Sequence, residues 1–136
     1  MKVIIDTNVL MAGLLKESII RLILLSKNID FFLPEYSTNE IKKYESYLLK
    51  KSGYNKKEFK LLMNYLLKNI KRIPKSRIQK YMRKAESIMK NIDIKDSSFI
   101  AAALAIKADG IWSFDNHFKQ QNKIKTFDTK DIIQHI

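Results

Sequence analysis

The sequence predicts an α/β fold, a three-layer sandwich in which a mostly parallel central sheet of about five short strands is flanked by helices. Short apolar runs rich in β-branched residues alternate with longer stretches of helical period, and no linker or low-complexity segment interrupts them. The first run, KVII, is continuously apolar rather than alternating, as expected for a strand buried on both faces of a helix-covered parallel sheet. At 136 residues the chain has the length of one domain, so residues 1–136 are expected to fold around a single core.

The strands are expected at KVII (2–5), DFFL (30–33), KRI (71–73), GIWS (110–113) and KIKTF (123–127). Of the helices, 17–27 is apolar all round and should be deeply buried, whereas 40–51 shows an apolar stripe at Ile41, Tyr44 and Leu48, with Tyr47 beside it. Helix 55–70 has a start signal at Asn55, and 76–92 follows a turn near Pro74. The run DSSFIAAALAIKA (96–108) has small side chains that let a core helix lie close to its neighbours, with Asp109-Gly110 as its end signal. A last helix is expected over 129–135.

Composition narrows the function classes. Hydrophobic residues make up 46% of the chain with only three Gly and two Pro, which disfavours disorder. Zero Cys removes disulfides and thiolate zinc sites and makes the reducing cytoplasm the expected compartment. The opening MKVIIDTNVLMAGLL is expected to be structure rather than a leader, because Asp6 and Asn8 interrupt the apolar run and no small-residue cleavage pattern follows. Arg21 and Lys107 cut short the other apolar stretches before they approach the roughly 20 residues of a membrane span, so a soluble chain with no membrane partner is expected. Lys and Arg number 26 against 14 Asp and Glu, a net charge of +12, which favours a polyanionic partner, nucleic acid ahead of an acidic membrane surface. The excess is local: from Lys42 to Lys95 there are 17 basic residues against four acids, a net of +13.

Four carboxylates fall where such a fold would bring them together. In a parallel sheet, a helix that follows a strand and a helix that leads back into one both start at the sheet's carboxyl edge. Asp6 directly follows KVII and Asp115 follows GIWS after one residue, while Glu40 and Asp96 open helices. All four are therefore expected at the edge where open α/β sheets bind ligands. Converging carboxylates repel, so they must be partly protonated or share a cation. With no Cys and only His117 and His135 available, the ligands would be oxygens, which suit Mg²⁺ or Mn²⁺ rather than zinc. An acidic metal site beside a basic surface suggests metal-assisted phosphodiester cleavage.

Each acid also has a purely structural reading. Ser37-Thr38-Asn39-Glu40 has the form of a capping box, Asp93 and Asp96 are good helix caps, and Asp115-Asn116 could simply make a turn. Asp6 is hardest to explain in this way, because an ionisable residue at the end of a buried strand needs a partner.

These residues resemble the PIN-domain ribonucleases, which include toxin components of bacterial and archaeal toxin–antitoxin pairs. The resemblance covers essentially the whole chain. It rests on VIIDTNVLMAGLL, on Glu40 in STNEIKKYESYL, and on DIKDSSFIAAALAIKADGIWSFDNHF with its Asp-x-x-Asp, Ala-rich helix, strand and Ser-x-Asp series. It implies a PIN-like sandwich whose acidic site is Asp6, Glu40, Asp96 and Asp115, with metal held by Asp6, Asp96 and Asp115. Asp93 would be an accessory acid, and Asn8 and Ser113 would orient the carboxylates and the metal's water. The implied chemistry is Mg²⁺- or Mn²⁺-dependent hydrolysis of RNA, in which water attacks phosphorus in line and the 3′ oxygen leaves. An antitoxin protein and a homodimer are the implied partners. The chain departs from the commonest family pattern at Phe114 and in its very basic middle helices.

Lys42, Lys43, Lys50 and Lys51, with Lys56 and Lys57, are candidates to line the RNA path, although a Lys-rich helix face is usually just solvated. Trp112 and Phe114 read as core or rim packing rather than base-stacking platforms, and His117 as the start of a surface helix rather than a general base. The expected function is a toxin-type, metal-dependent endoribonuclease. Its alternatives are an RNA-processing or quality-control nuclease without an antitoxin, and a non-catalytic RNA-binding module whose acids are caps.

Overall fold

The computed structural model describes residues 1–15 and 18–136. Strands β1 (Lys2–Ile5), β2 (Asp30–Pro34), β3 (Lys71–Ile73), β4 (Gly110–Trp112) and β5 (Thr126–Phe127) pair in the order β3-β2-β1-β4-β5. Every pairing is parallel, with Val3 opposite Phe31, Ile4 opposite Ile111, Leu33 opposite Arg72 and Trp112 opposite Phe127. The chain winds outward from β1 through β2 to β3, then returns to β4 on the other side of β1. The order therefore reverses between β1 and β4, and their carboxyl ends are tied where the Asp6 amide donates to the Trp112 carbonyl at 3.1 Å. A crevice outside such a reversal point is where open α/β sheets bind ligands.

Both faces of the sheet are covered, which is why its central strands read as continuous apolar runs. Val3, Ile5, Phe31, Leu33 and Trp112 point into one core, against α1 (Thr7–Gly13), α2 (Ile19–Leu24), α3 (Ser37–Lys43), α4 (Glu45–Ser52), α5 (Lys56–Asn69) and α9 (Thr129–Ile133). Ile4 and Ile111 point into the other, against α6 (Lys75–Gln79), α7 (Met82–Met89) and α8 (Ser97–Ile106). Each fully buried Leu, Ile or Phe contributes about 1.5–3 kcal/mol relative to exposure. The Ala101, Ala102 and Ala103 side chains are buried in the second core, where their small size lets α8 lie close to β1, β2 and β4. No helix among the described residues is long and apolar enough to cross a membrane.

Several elements differ from expectation. The helix expected over 17–27 is α2, which begins at Ile19; Glu17 lies outside the described residues. It is not deeply buried all round, because one face suffices to reach the core: Ile23 and Leu24 are buried, whereas Ile19 and Leu22 are exposed. Arg21, which interrupts its apolar run, donates to the carbonyls of Gly13 and Leu15 at the end of α1 and lies over the Tyr54 ring. The helix expected over 40–51 is two helices, broken at Tyr44 (φ −100°, ψ 8°), with Ile41 and Leu48 buried and Tyr44 and Tyr47 exposed. The one expected over 76–92 breaks likewise at Tyr81 (φ −112°, ψ 1°). No Pro or Gly marks either break; tertiary packing overrides local propensity there. By contrast, Asn55 does start α5, through a reciprocal capping box with Glu58.

Helix α8 ends before its expected signal. Lys107 takes the left-handed conformation (φ 53°), and the amides of Lys107 and Ala108 close back on the carbonyls of Leu104 and Ala103, a Schellman motif. Gly110 instead opens β4, where a Cβ would lie 2.4 Å from the Phe127 ring and 2.7 Å from the Lys125 carbonyl oxygen. Strand β5 is shorter than expected because only Thr126 and Phe127 pair with β4, although the Lys125 carbonyl still accepts from the Ile111 amide.

Candidate active site

The site is built outward from the end of β1. Asp6 occupies the cap position of α1 with extended backbone (φ −71°, ψ 150°), yet its side chain makes no cap hydrogen bond. It is 7% exposed, and its Oδ2 accepts from the Ser113 hydroxyl at 2.8 Å. The same Ser113 oxygen accepts from the Asp115 amide at 2.9 Å, so one buried hydroxyl just past β4 ties two of the acids together. Neighbouring Thr7 reaches the next element: its hydroxyl lies 3.1 Å from Ser37 Oγ and 3.5 Å from Glu40 Oε1.

The structure separates the acids that act as caps from those that do not. Ser37 is the first residue of α3 rather than its cap, and the α3 amino end has no side-chain cap hydrogen bond, so the capping-box reading of Glu40 is wrong. Asp96 stands at the cap position of α8 but makes no cap hydrogen bond either. Asp93 does cap, accepting from the Lys95 amide at 3.0 Å to start a 3₁₀ turn over Ile94–Asp96. Asp115 also serves a turn, its Oδ1 accepting from the His117 amide at 2.9 Å. Asp115 Oδ2 and both oxygens of Asp96 are free of such duties.

Asp6, Glu40, Asp96 and Asp115 line one cleft of about 730 Å³ at the carboxyl edge, together with Asn8. Asn8 is exposed there, Ser113 reaches the site through its bond to Asp6, and Asp93 does not line the cleft. Of the four candidate lysines, Lys43 reaches the cleft. Lys42 lines a separate groove with Phe59 and Lys60, Lys51 donates to the Tyr47 hydroxyl at 3.1 Å, and Lys50 is exposed on α4. Trp112 is fully buried, donating Nε1–H to Thr129, while Phe114 is half-exposed and packs edge-on against it.

Sequence reasoning missed several cleft residues. Lys95 lines the cleft but was hidden within a long basic segment, and Tyr36, which also lines it and is bonded to Ser98, carries no sequence signal. His117 opens the 3₁₀ turn Asn116–Gln120, but it is not simply a surface residue. Its Nδ1 is buried and lies 3.2 Å from Asp115, 3.3 Å from Asp93 and 3.5 Å from Asp96 oxygens. Its two-residue spacing from Asp115 was the available clue.

The crowding is visible in the electrostatics. Burial pushes the Asp6 carboxyl above its ordinary range, and the Asp115 charge adds to this, against the lowering effect of the Ser113 hydroxyl. Asp96 is pushed up to about 6, by burial first and then by the charges of Asp93, Asp6 and Asp115. Burial and Asp6 raise Glu40 as well, and burial with the nearby carboxylates raises Tyr36 to about 12. A set of carboxylates whose ionised forms are disfavoured in this way, with oxygen donors aimed at a common cleft, fits a divalent cation.

No curated protein matches the chain. A family model described as PIN domain matches residues 4–134, nearly its full length. PIN domains are generally nucleases and usually use divalent metals, so nucleic acid is the implied substrate, and the chain belongs to the PIN-domain family.

Proposed function

We propose that this chain is a metal-dependent endoribonuclease that hydrolyses RNA phosphodiester bonds, and that it acts as the toxin of a toxin–antitoxin pair. The observation that carries the nuclease reading is the buried Asp6 carboxylate, held by Ser113 at the point where the strand order reverses, with Glu40, Asp96 and Asp115 lining the same cleft. Asp6, Asp96 and Asp115 would hold Mg²⁺ or Mn²⁺, and Glu40 faces them from α3. Such an ion, when bound, lowers the pKa of water and offsets charge developing on the phosphate.

The protein's own groups do the rest. Ser113 fixes the Asp6 carboxylate and, through the Asp115 amide, the turn that carries Asp115. Lys43 and Lys95, on the cleft wall, attract and orient the phosphodiester. In the reaction, water's oxygen bonds to phosphorus as the bond to the 3′ oxygen breaks; a proton of the water ends on that oxygen, so the upstream product carries a 3′-hydroxyl and the downstream product a 5′-phosphate. The basic segment from Lys42 to Lys95 extends the attraction along the RNA backbone.

The rival reading, a non-catalytic RNA-binding module whose acids are caps, is disfavoured because Asp6, Glu40 and Asp96 make no cap hydrogen bonds. The toxin reading rests on the resemblance to small PIN toxins, and it carries with it a single-domain cytoplasmic protein, a homodimer and an antitoxin partner. Induced expression is expected to arrest growth, Asp6→Asn to relieve the arrest, and co-expression of an antitoxin encoded beside the gene to relieve it too. Normal growth with an active nuclease would favour the processing or quality-control alternative.

A further inference from the structure

One wall of the cleft is a single row of side chains. Glu40, Lys43, Tyr44 and Tyr47 all line it, and their positions three, four and seven residues along from Glu40 are the spacing of one helix face. The row runs from α3 into α4 because the break at Tyr44 keeps the turn bonded: its amide donates to the Ile41 carbonyl, and its carbonyl accepts from the Leu48 amide. Ile41 and Leu48, on the other face, are buried and anchor both helices in the core. Tyr44 and Tyr47 stand outside that packing, 50% and 57% exposed. We propose that the Tyr44 and Tyr47 rings form a stacking platform for unpaired bases, which positions a single RNA strand with its phosphate against the acids. Where the scissile phosphate lies rests on the nuclease reading; the two rings go beyond it.

Three features of the wall favour a nucleic-acid base. First, the fold leaves the rings free. Among the described residues neither forms a pair with another aromatic side chain. Lys51 Nζ is 3.1 Å from the Tyr47 hydroxyl oxygen but 5.4 Å from the ring centre, so it sits off the hydroxyl end of the ring and leaves the faces open. Second, cations flank the rings. Lys43 and Lys95 line the same cleft and Lys51 stands at the end of the row, so the phosphates on either side of a stacked base meet positive charge. Third, the order along the row is the order a nucleotide requires: a carboxylate, a lysine, then two aromatic faces. At about 1.5 Å per residue, Tyr44 lies about 6 Å along the helix from Glu40, so one nucleotide can place its phosphate near the acids and its base on a ring.

The cleft volume of about 730 Å³ lies within the range of about 300–1,000 Å³ usual for small-ligand sites, enough for a nucleotide. Stacking tolerates any base, because every base has a π-face, but a base inside a duplex already has both faces covered by its neighbours. The platform therefore selects unpaired RNA rather than a particular sequence. Two competing accounts assign the rings no base. In one they are a wetted rim with the lysines alone holding the strand, and in the other they contact a second copy of the chain.

The test is binding of a fluorescein-labelled eight-nucleotide RNA of mixed sequence, as a single strand and as a blunt duplex, to Asp6→Asn protein in Mg²⁺, which separates binding from cleavage. Replacing both tyrosines by Leu (Tyr44→Leu with Tyr47→Leu) is expected to weaken single-strand binding by about 5–100-fold, replacing both by Phe to leave it within about twofold, and neither to change duplex binding. Ring-proton resonances of Tyr44 and Tyr47 are expected to shift upfield when the single strand is added, a readout that needs no substitution. With Asp6 restored, the Leu pair should raise the KM for single-stranded RNA by a similar factor while kcat changes by less than about threefold. Unmoved tyrosine rings overturn the proposal, and so do equal losses in the Leu and Phe pairs or single-strand binding unchanged in the Leu pair. A dimer lost in the Leu pair with RNA binding intact would give the rings to a second copy and overturn it as well. If RNA is still cut after any of these results, the nuclease reading survives alone; if no metal supports cleavage but the Leu pair loses single-strand binding, the platform survives alone.

Discussion

Replacing Asp96 with Asn is expected to stabilise the metal-free protein at neutral pH. Asn serves as well as Asp at a helix cap position and has nearly the same shape, so the substitution removes charge and little else. In the native fold the Asp96 carboxyl is pushed from 3.8 up to about 6 by burial and by the Asp93, Asp6 and Asp115 charges. At face value that rise corresponds to about 3 kcal/mol against the ionised form. The site opens on a wet cleft, so screening reduces the expected gain to about 1–2 kcal/mol, or about 3–8 °C in melting temperature. The sign follows from linkage. A carboxyl whose folded pKa is raised binds its proton more tightly in the native state, so its favourable contribution is complete below about pH 4 and is lost as pH rises through about 6. The gap between Asp96→Asn and wild type should therefore be full above pH 6 and close toward pH 4. Urea unfolding in chelator from pH 4 to 7.5 measures it. A variant that is no more stable at pH 7, or a gap that does not change with pH, would refute the electrostatic argument.

Other expectations follow from single contacts. Ser113→Ala removes the hydroxyl that holds Asp6 and should lower single-turnover cleavage by about 10–100-fold while the far-UV spectrum stays native. Lys107→Gly relieves a left-handed backbone at the end of α8 and should raise unfolding free energy by about 1 kcal/mol in urea. Gly110→Ala puts a Cβ against the Phe127 ring and the Lys125 carbonyl, so β5 must shift, at a cost of about 1–3 kcal/mol by the same measurement.

What could be read from the sequence was whatever burial writes into a periodic pattern. KVII and the start of GIWS are strands where expected, because a parallel strand covered on both sides must be apolar throughout, whereas KRI, also a strand where expected, is the edge strand with Lys71 and Arg72 exposed and Ile73 buried. Asp6 stood out for the same reason, as a charge at the end of such a strand. The convergence of the four acids followed from topology alone, since chain direction fixes which end of each helix meets the carboxyl edge. The breaks at Tyr44 and Tyr81 were hidden because packing rather than Pro or Gly imposes them. The Lys107 stop was hidden because a lysine in the left-handed region leaves no compositional mark. His117 reads from the sequence as the start of a surface helix because its approach to Asp93 and Asp96 spans more than twenty residues of chain and leaves no local pattern. The capping alternative for Glu40, judged by spacing, fails because Ser37 is spent on Thr7 across the sheet edge, a contact no local pattern encodes.

The most direct test of the central claim is cleavage of a mixed RNA pool by the purified protein in Mg²⁺, Mn²⁺ or chelator, beside Asp6→Asn and Asp115→Asn variants confirmed as folded. The account predicts internal cuts that require metal and are lost in both variants, while salt-sensitive RNA binding through the basic segment remains. Cleavage that persists in Asp6→Asn, or RNA binding with no cleavage in any metal, would contradict it.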